Sequence, residues 1–188
     1  MQSGGSGPIQ TVTLTLFRFD SLAARAWAYA MMGAARMPLS RMPGLAFWKL
    51  CGAGVGEGFT PRMEMSISGI LCVWANRAAA DAALAGKGVF ARYRARSSEC
   101  WTVYLTPVSS RGVWSGQAPF TPEAASKDAP LAVLTRATLR LASLPTFWRK
   151  VPDVSAAIGR DPNVAFKIGL GEVPFLQQIT FSIWPDTA

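Results

Sequence analysis

Hydrophobic and polar positions alternate from Thr11 to Phe17 (Thr-Val-Thr-Leu-Thr-Leu-Phe), the period-two pattern of a strand with one buried face. Asp20-Ser21 then offers a helix N-cap ahead of an Ala-, Met- and Trp-rich stretch, which predicts a helix to about Met37. Pro38 and Pro43-Gly44 are expected to break it. Leu45 to Cys51 predicts a second strand, closed by the glycine-rich segment 52–56, and Met65 to Trp74 predicts a third. Asn76 caps a predicted helix from Arg77 to about Ser97, and Cys100 to Val108 completes the series as a fourth strand. The order is β-α-β-β-α-β, the ferredoxin-like unit, whose helices cover one face of the sheet.

The pattern then begins again. Pro43-Gly44-Leu45-Ala46-Phe47-Trp48-Lys49-Leu50 is echoed by Pro162-Asn163-Val164-Ala165-Phe166-Lys167-Ile168, Gly56-Glu57 by Gly171-Glu172, and Trp74-Ala75-Asn76 by Trp184-Pro185-Asp186. Strand-like runs stand upstream of each block, at Thr11–Phe19 and Leu131–Leu139. Matches in a conserved order point to duplication. The expected architecture is therefore α+β: tandem ferredoxin-like repeats whose sheets pair into an α+β barrel with a central pocket. The expected parts are a leader (1–10), a first repeat (11–116), a linker (117–130) and a second repeat (131–188). The second copy supplies a strand, a helix beginning near Ser143 and strands over Phe166–Leu170 and Gln177–Trp184. Measured against the first, it lacks roughly 35–45 residues. The expectation is a truncated second repeat.

Composition sharpens the picture. Half the residues are hydrophobic and only 16% are charged, with seven Trp and ten Phe, enough to build a core and to line a lipophilic pocket. The net charge of +8 is spread without a basic run, and the Lys/Arg-Gly-Phe/Tyr-Gly/Ala-Phe pattern of an RNA-binding ferredoxin-like domain is missing, so nucleic acid is not an expected partner. No run of eighteen apolar residues spans a membrane. Cys51, Cys72 and Cys100 form no Cys-x-x-Cys pair and all stand among apolar neighbours, as small hydrophobes in a reducing compartment do.

The chain has no histidine. That excludes Ser-His-Asp triads, Cys-His pairs and histidine metal clusters, and any haem iron would need another ligand, such as a Cys thiolate or Tyr. The glycine-rich loop 52–58 has no Gly-Lys-Ser/Thr ending and runs into Thr60-Pro61 rather than a helix, so it is read as a strand connection and not as a phosphate cradle. Lys49 and Lys167 fall at the same place in the two repeats, as do Glu57 and Glu172. They are expected to form ion pairs across the duplication, or to set a charge beside a cofactor. Arg111 and Arg136 are the expected exposed sites for an acidic group. Arg111-Gly112-Val113-Trp114-Ser115-Gly116 is too particular for an ordinary linker.

Taken together, several segments resemble the spheroidene monooxygenase family: Phe47-Trp48-Lys49-Leu50, Gly56-Glu57-Gly58-Phe59-Thr60-Pro61, the Arg111–Gly116 stretch, Thr135-Arg136-Ala137-Thr138, Asp161-Pro162-Asn163-Val164-Ala165-Phe166-Lys167-Ile168 and Gln178-Ile179-Thr180-Phe181-Ser182-Ile183-Trp184-Pro185-Asp186. The resemblance implies a haem-dependent carotenoid monooxygenase, cytoplasmic or peripheral to the inner or photosynthetic membrane. It inserts oxygen at C-2 of acyclic carotenoids and carries spheroidene to spheroidenone through a hydroxylated intermediate. Dioxygen (O2) and a ferredoxin-type electron donor are the implied co-reactants. The implied cofactor contacts are Lys167, Arg136, Phe166 and Trp184, and the implied substrate pocket is Phe47, Trp48 and Trp148. Family members continue past Trp-Pro-Asp into a helix with a Gly-Pro-His sequence, the implied source of the iron ligand. Here Thr187-Ala188 follow instead, so no metal ligand is carried over and this form is expected to bind haem poorly. The alternative from another class is a non-catalytic barrel that binds a lipophilic ligand or dimerises.

Overall fold

The computed structural model describes residues 9–54, 63–124, 129–146, 149–151, 161, 163–173 and 176–185. Its strands are β1 (Thr11–Arg18), β2 (Leu45–Gly54), β3 (Met63–Trp74), β4 (Glu99–Leu105), β5 (Leu131–Thr138), β6 (Phe166–Val173) and β7 (Gln177–Trp184). They form one sheet in the order β4-β1-β3-β2-β6-β7-β5, with every pairing antiparallel. Its helices include α1 (Leu22–Ala34), α2 (Arg36–Ser40), α3 (Arg77–Ala85) and α4 (Val89–Arg94), and residues 144–146 and 149–151 are helical where a helix was expected near Ser143. The class is α+β.

The two expected helix starts are made by the residues that signalled them. The Ser21 hydroxyl accepts from the Ala24 amide, and Asn76 Oδ1 accepts from the Ala79 amide. Two helix ends differ from expectation. Pro38 does not break the first helix but lies in the opening turn of α2, where its missing N–H leaves no bond unmade. The second predicted helix is two: Gly86 and Gly88 separate α3 from α4, and Arg96 lies beyond the last turn. Gly44 enters β2 at φ +72°, and a Cβ there would come within 2.6 Å of the Ala79 Cβ, so only glycine fits this turn.

The halves of the sheet share one pairing register. Thr11 faces Trp74 as Leu131 faces Trp184, and Arg18 faces Ile67 as Thr138 faces Gln177. Phe47 faces Val73 as Phe166 faces Ile183, and Gly52 faces Ser68 as Gly171 faces Gln178. The seam joins equivalent residues, because Gly52 of β2 pairs with Gly171 of β6. A pseudo-twofold axis therefore runs through this glycine pair.

Alternation assigns each strand residue to one of two cores. The outer face packs under the helices: Phe17, Phe19, Leu50, Ile70, Cys72 and Trp74 meet Ala28, Met31, Leu39, Phe90 and Tyr93. The inner face is a second core, with Val12, Leu14 and Leu16 of β1, Leu71 and Val73 of β3, Ile168 and Leu170 of β6, and Ile179 and Phe181 of β7. The sheet curls around this second core. Trp101 on the edge strand β4 meets Phe166 on β6 at 4.9 Å between ring centroids, although three strands lie between them. Gly69 on β3 lets Leu16 and Leu170 close over it, a hypothetical Cβ there lying 3.3 and 3.4 Å from their methyl carbons.

Candidate functional site

Into the apolar inner face the chain draws three charged side chains. Lys49 lies on the same side of β2 as Phe47 and Cys51; Glu172 follows Ile168 and Leu170 on β6; Arg136 follows Ala132 and Leu134 on β5. Lys49 Nζ stands 2.6 Å from Glu172 Oε1, and Arg136 Nε stands 3.6 Å from Glu172 Oε2. Their side chains are only 13%, 13% and 19% exposed for Lys49, Glu172 and Arg136. At such burial a lone charge would be costly, so the three hold one another in place. The cluster carries one net positive charge.

A loop closes over it. Lys49 Nζ also donates to Ser115 Oγ at 2.5 Å, and Trp114 Nε1 donates to Glu172 Oε2 at 2.8 Å. Trp114 and Gln117 bond each other's backbones in a tight turn, with Gly112, Ser115 and Gly116 at positive φ. Trp114 is 4% exposed, edge-on to Phe47 at 5.6 Å, with Lys49 and Arg136 at 5.8 and 5.5 Å from its ring centroid. Gln10 ties the next segment to the start of β1, donating to the Pro119 carbonyl and accepting from the Thr121 amide. Burial pushes the Glu172 carboxyl up, but hydrogen bonds from Lys49 and Trp114, with the charges of Lys49 and Arg136, outweigh it and hold it below its ordinary value. Glu172 is thus an anion that fixes two cations and an indole. Arg136 Nε is buried and makes no hydrogen bond among the described residues, so the ion pair with Glu172 is what holds it.

The structure separates residues that the sequence put together. Phe47, Phe166 and Arg136 belong to the inner face. Lys167, Trp48 and Trp184 lie on the outer one, Trp48 packed among the residues under the helices and Trp184 Nε1 bonded to Ser182 Oγ. Lys49 and Lys167 are not equivalent: by register Lys49 matches Ile168 and Lys167 matches Trp48. The correspondence drawn from the letters needed a one-residue gap, and one residue reverses the face of a strand. Arg136 is not an exposed site, since it turns inward to Glu172; Arg111 is exposed. The expected pairing across the duplication occurs between Lys49 and Glu172. Glu57 and Trp148 lie outside the described residues. Cys100 is exposed rather than in apolar surroundings, whereas Cys51 and Cys72 are buried. Trp114 and Ser115 were not singled out as site residues. Their signal was an aromatic set between glycines after the fourth strand.

Among the described residues no group of His, Cys, Asp and Glu could hold a metal ion, and no helix is long and apolar enough to cross a membrane. A search of curated proteins returns spheroidene monooxygenases. Those of Cereibacter sphaeroides and Rhodobacter capsulatus are each 42% identical over 179 residues, covering 95% and 94% of this chain and 55% and 74% of their own lengths. The chain belongs to the spheroidene monooxygenase family. The enzyme of Rubrivivax gelatinosus is 35% identical over 166 residues, covering 88% of this chain and 65% of its own length. The chain therefore spans about half the length of the Cereibacter relative and about two thirds of the Rubrivivax one. No family model matches. Solved structures are looser matches: an anthrone oxidase-like protein (11% identical, 95% of this chain and 74% of that one, TM-score 0.39) and SnoaB, a cofactor-independent oxygenase from Streptomyces nogalater (17%, 56% and 96%, TM-score 0.34). Nothing functional is drawn from likeness at that level.

Proposed function

We propose that the chain is a carotenoid monooxygenase, acting on acyclic carotenoids of the spheroidene type and inserting oxygen at C-2 to carry spheroidene to spheroidenone. The observation that carries the reading is 42% identity to a spheroidene monooxygenase across 94% of this chain and 74% of that relative. The inner face supports it. A polyene is a long apolar molecule with little to distinguish its ends. In polarity, an apolar inner face with one cationic cluster at its edge suits such a ligand. Dioxygen supplies the inserted oxygen, and a ferredoxin-type donor supplies two electrons for each round. Two protons complete the balance, and the second oxygen atom leaves as water.

The family resemblance implies haem, and among the described residues no His, Cys or Tyr stands ready to ligate its iron. There is no histidine. Cys51 and Cys72 are buried among apolar side chains, and burial pushes the Cys51 thiol up to about 12 and the Cys72 thiol up as well. Burial also raises Cys100 and Tyr93; Tyr104 donates to Asp81, and Tyr29 is exposed on α1.

Expression in a cell that accumulates spheroidene tests the proposal. The pigment shifts to a conjugated ketone if the reading is right. Spheroidene recovered unaltered but bound to the protein overturns it in favour of a non-catalytic lipophilic carrier.

A further inference from the structure

Helix α1 has a second side that none of the described residues covers. Its inward side sends Ala28 and Met31 into the outer core. The opposite side presents Leu22 (82% exposed), Ala26, Tyr29 (65%), Ala30 and Gly33 to solvent, and Met37 (61%) carries the strip on into α2. These positions recur at helical spacing and contain no charge. A surface helix ordinarily carries its charged residues there. Among its thirteen residues α1 has one charged side chain, Arg25, whose Nε is turned back to the Phe19 carbonyl.

The border of the strip is mainly cationic, the exposed Asp20 ahead of the helix being paired with Arg18. From Ser21 to Gly56 there is no Asp or Glu, whereas Arg25, Arg36, Arg41 and Lys49 fall in that stretch. Arg36 and Arg41 are exposed at the α2 end of the strip. Arg96 is exposed beside it, its guanidinium 5.1 Å from the centre of the Trp27 ring on α1. Apolar side chains, an exposed tyrosine and a cationic border are the chemistry of a helix lying in the headgroup layer of an anionic bilayer.

We propose that the exposed side of α1, bordered by Arg36, Arg41 and Arg96, is a docking surface for anionic lipid membrane. A second copy of the chain is the poorer occupant on two counts. Both copies would bring the same positive border to the contact. A thirteen-residue helix is about 20 Å long, and a strip about 10 Å wide offers roughly 200 Å², against the ~800 Å² per partner that a specific dimer buries. Lipid imposes no such demand for area or complementary shape. The inference takes from the preceding section only that the substrate is dissolved in lipid.

Vesicle co-sedimentation with the 188-residue chain tests it. Binding is expected to vesicles containing about a third phosphatidylglycerol, to weaken with salt, and to be minor on phosphatidylcholine alone. Tyr29→Glu with Met37→Glu is expected to cut the vesicle partition coefficient at least about tenfold, and Arg36→Gln with Arg41→Gln about fivefold per charge removed. Leu141→Glu, an equally exposed apolar site elsewhere, should leave binding unchanged, and far-UV circular dichroism confirms that each variant is folded. The proposal is overturned if the parent chain does not bind anionic vesicles or if Tyr29→Glu with Met37→Glu binds as well as the parent. Light scattering that finds a dimer abolished by those same two substitutions also overturns it, by assigning the strip to self-association. Loss of vesicle binding leaves the oxygenase reading standing, and absence of ketone product leaves the docking surface standing.

Discussion

The two halves of the sheet are built to one register and filled differently. Leu16 of the first half stands where the second half has Arg136, and Ala53 where it has Glu172; Ile168 of the second stands where the first has Lys49. Each charged member of the cluster thus has an apolar counterpart across the pseudo-twofold axis. Backbone pairing tolerates this because ladder hydrogen bonds do not depend on the side chain, whereas three charges on one inner face require one another. The difference teaches that the cluster is no requirement of the fold: the same strands close without it.

That claim can be broken most decisively at Glu172. Glu172→Ala leaves Lys49 and Arg136 facing each other with no carboxylate, and chemical denaturation should show a loss of about 4 kcal/mol. Substituting all three positions by their counterparts (Lys49→Ile, Arg136→Leu and Glu172→Ala together) should return stability to within about 2 kcal/mol of the parent, because no charge is then stranded. Conversion of spheroidene to the ketone should nevertheless be lost. A triple variant as unstable as the single one would make the cluster a structural necessity and end the comparison. Next in size, Trp114→Ala removes the aromatic cover from the cluster and should cost about 3 kcal/mol and most of the pigment conversion. Smaller again is the contrast between two lysines: Lys49→Met should destabilise by about 2 kcal/mol, whereas Lys167→Met, on the other face, should stay within about 0.5 kcal/mol.

The least effect is expected from acid. Because the Glu172 carboxyl is held below its ordinary value, it contributes stability above the pKa it has in the unfolded chain, and that contribution is lost as pH falls through the lower folded value. The stability gap between the parent and Glu172→Gln should therefore be full at neutral pH and narrow only below the ordinary carboxylate range. A gap that instead widens in acid would reverse the sign assigned to the cluster.

Much of this fold was legible because strands announce themselves by alternation and helices by their caps. Thr13, Thr15 and the apolar residues between them gave β1, Ser21 and Asn76 gave two helix starts, and the Trp74–Trp184 correspondence holds in the pairing register. Facing was harder to read. Matching Lys49 to Lys167 by letter slipped the register by one residue and put two opposite faces in one set. Parity alone would have corrected Arg136, since Ala132 and Leu134 precede it on the same side of β5. The Trp114 loop could not be placed by any periodicity. Its position depends on contacts with Glu172 and Phe47, 58 and 67 residues away in the chain.

The seam at Gly52 and Gly171 has a consequence for what the curled sheet can recognise. Two identical subunits meeting at such an axis would have to present the same wall twice, and a rod-shaped guest could enter either way round. Joined in one polypeptide, the two walls are free to differ, and the molecule gains a head and a tail. An enzyme that must modify one end of a nearly featureless chain needs that polarity before it needs any reactive group.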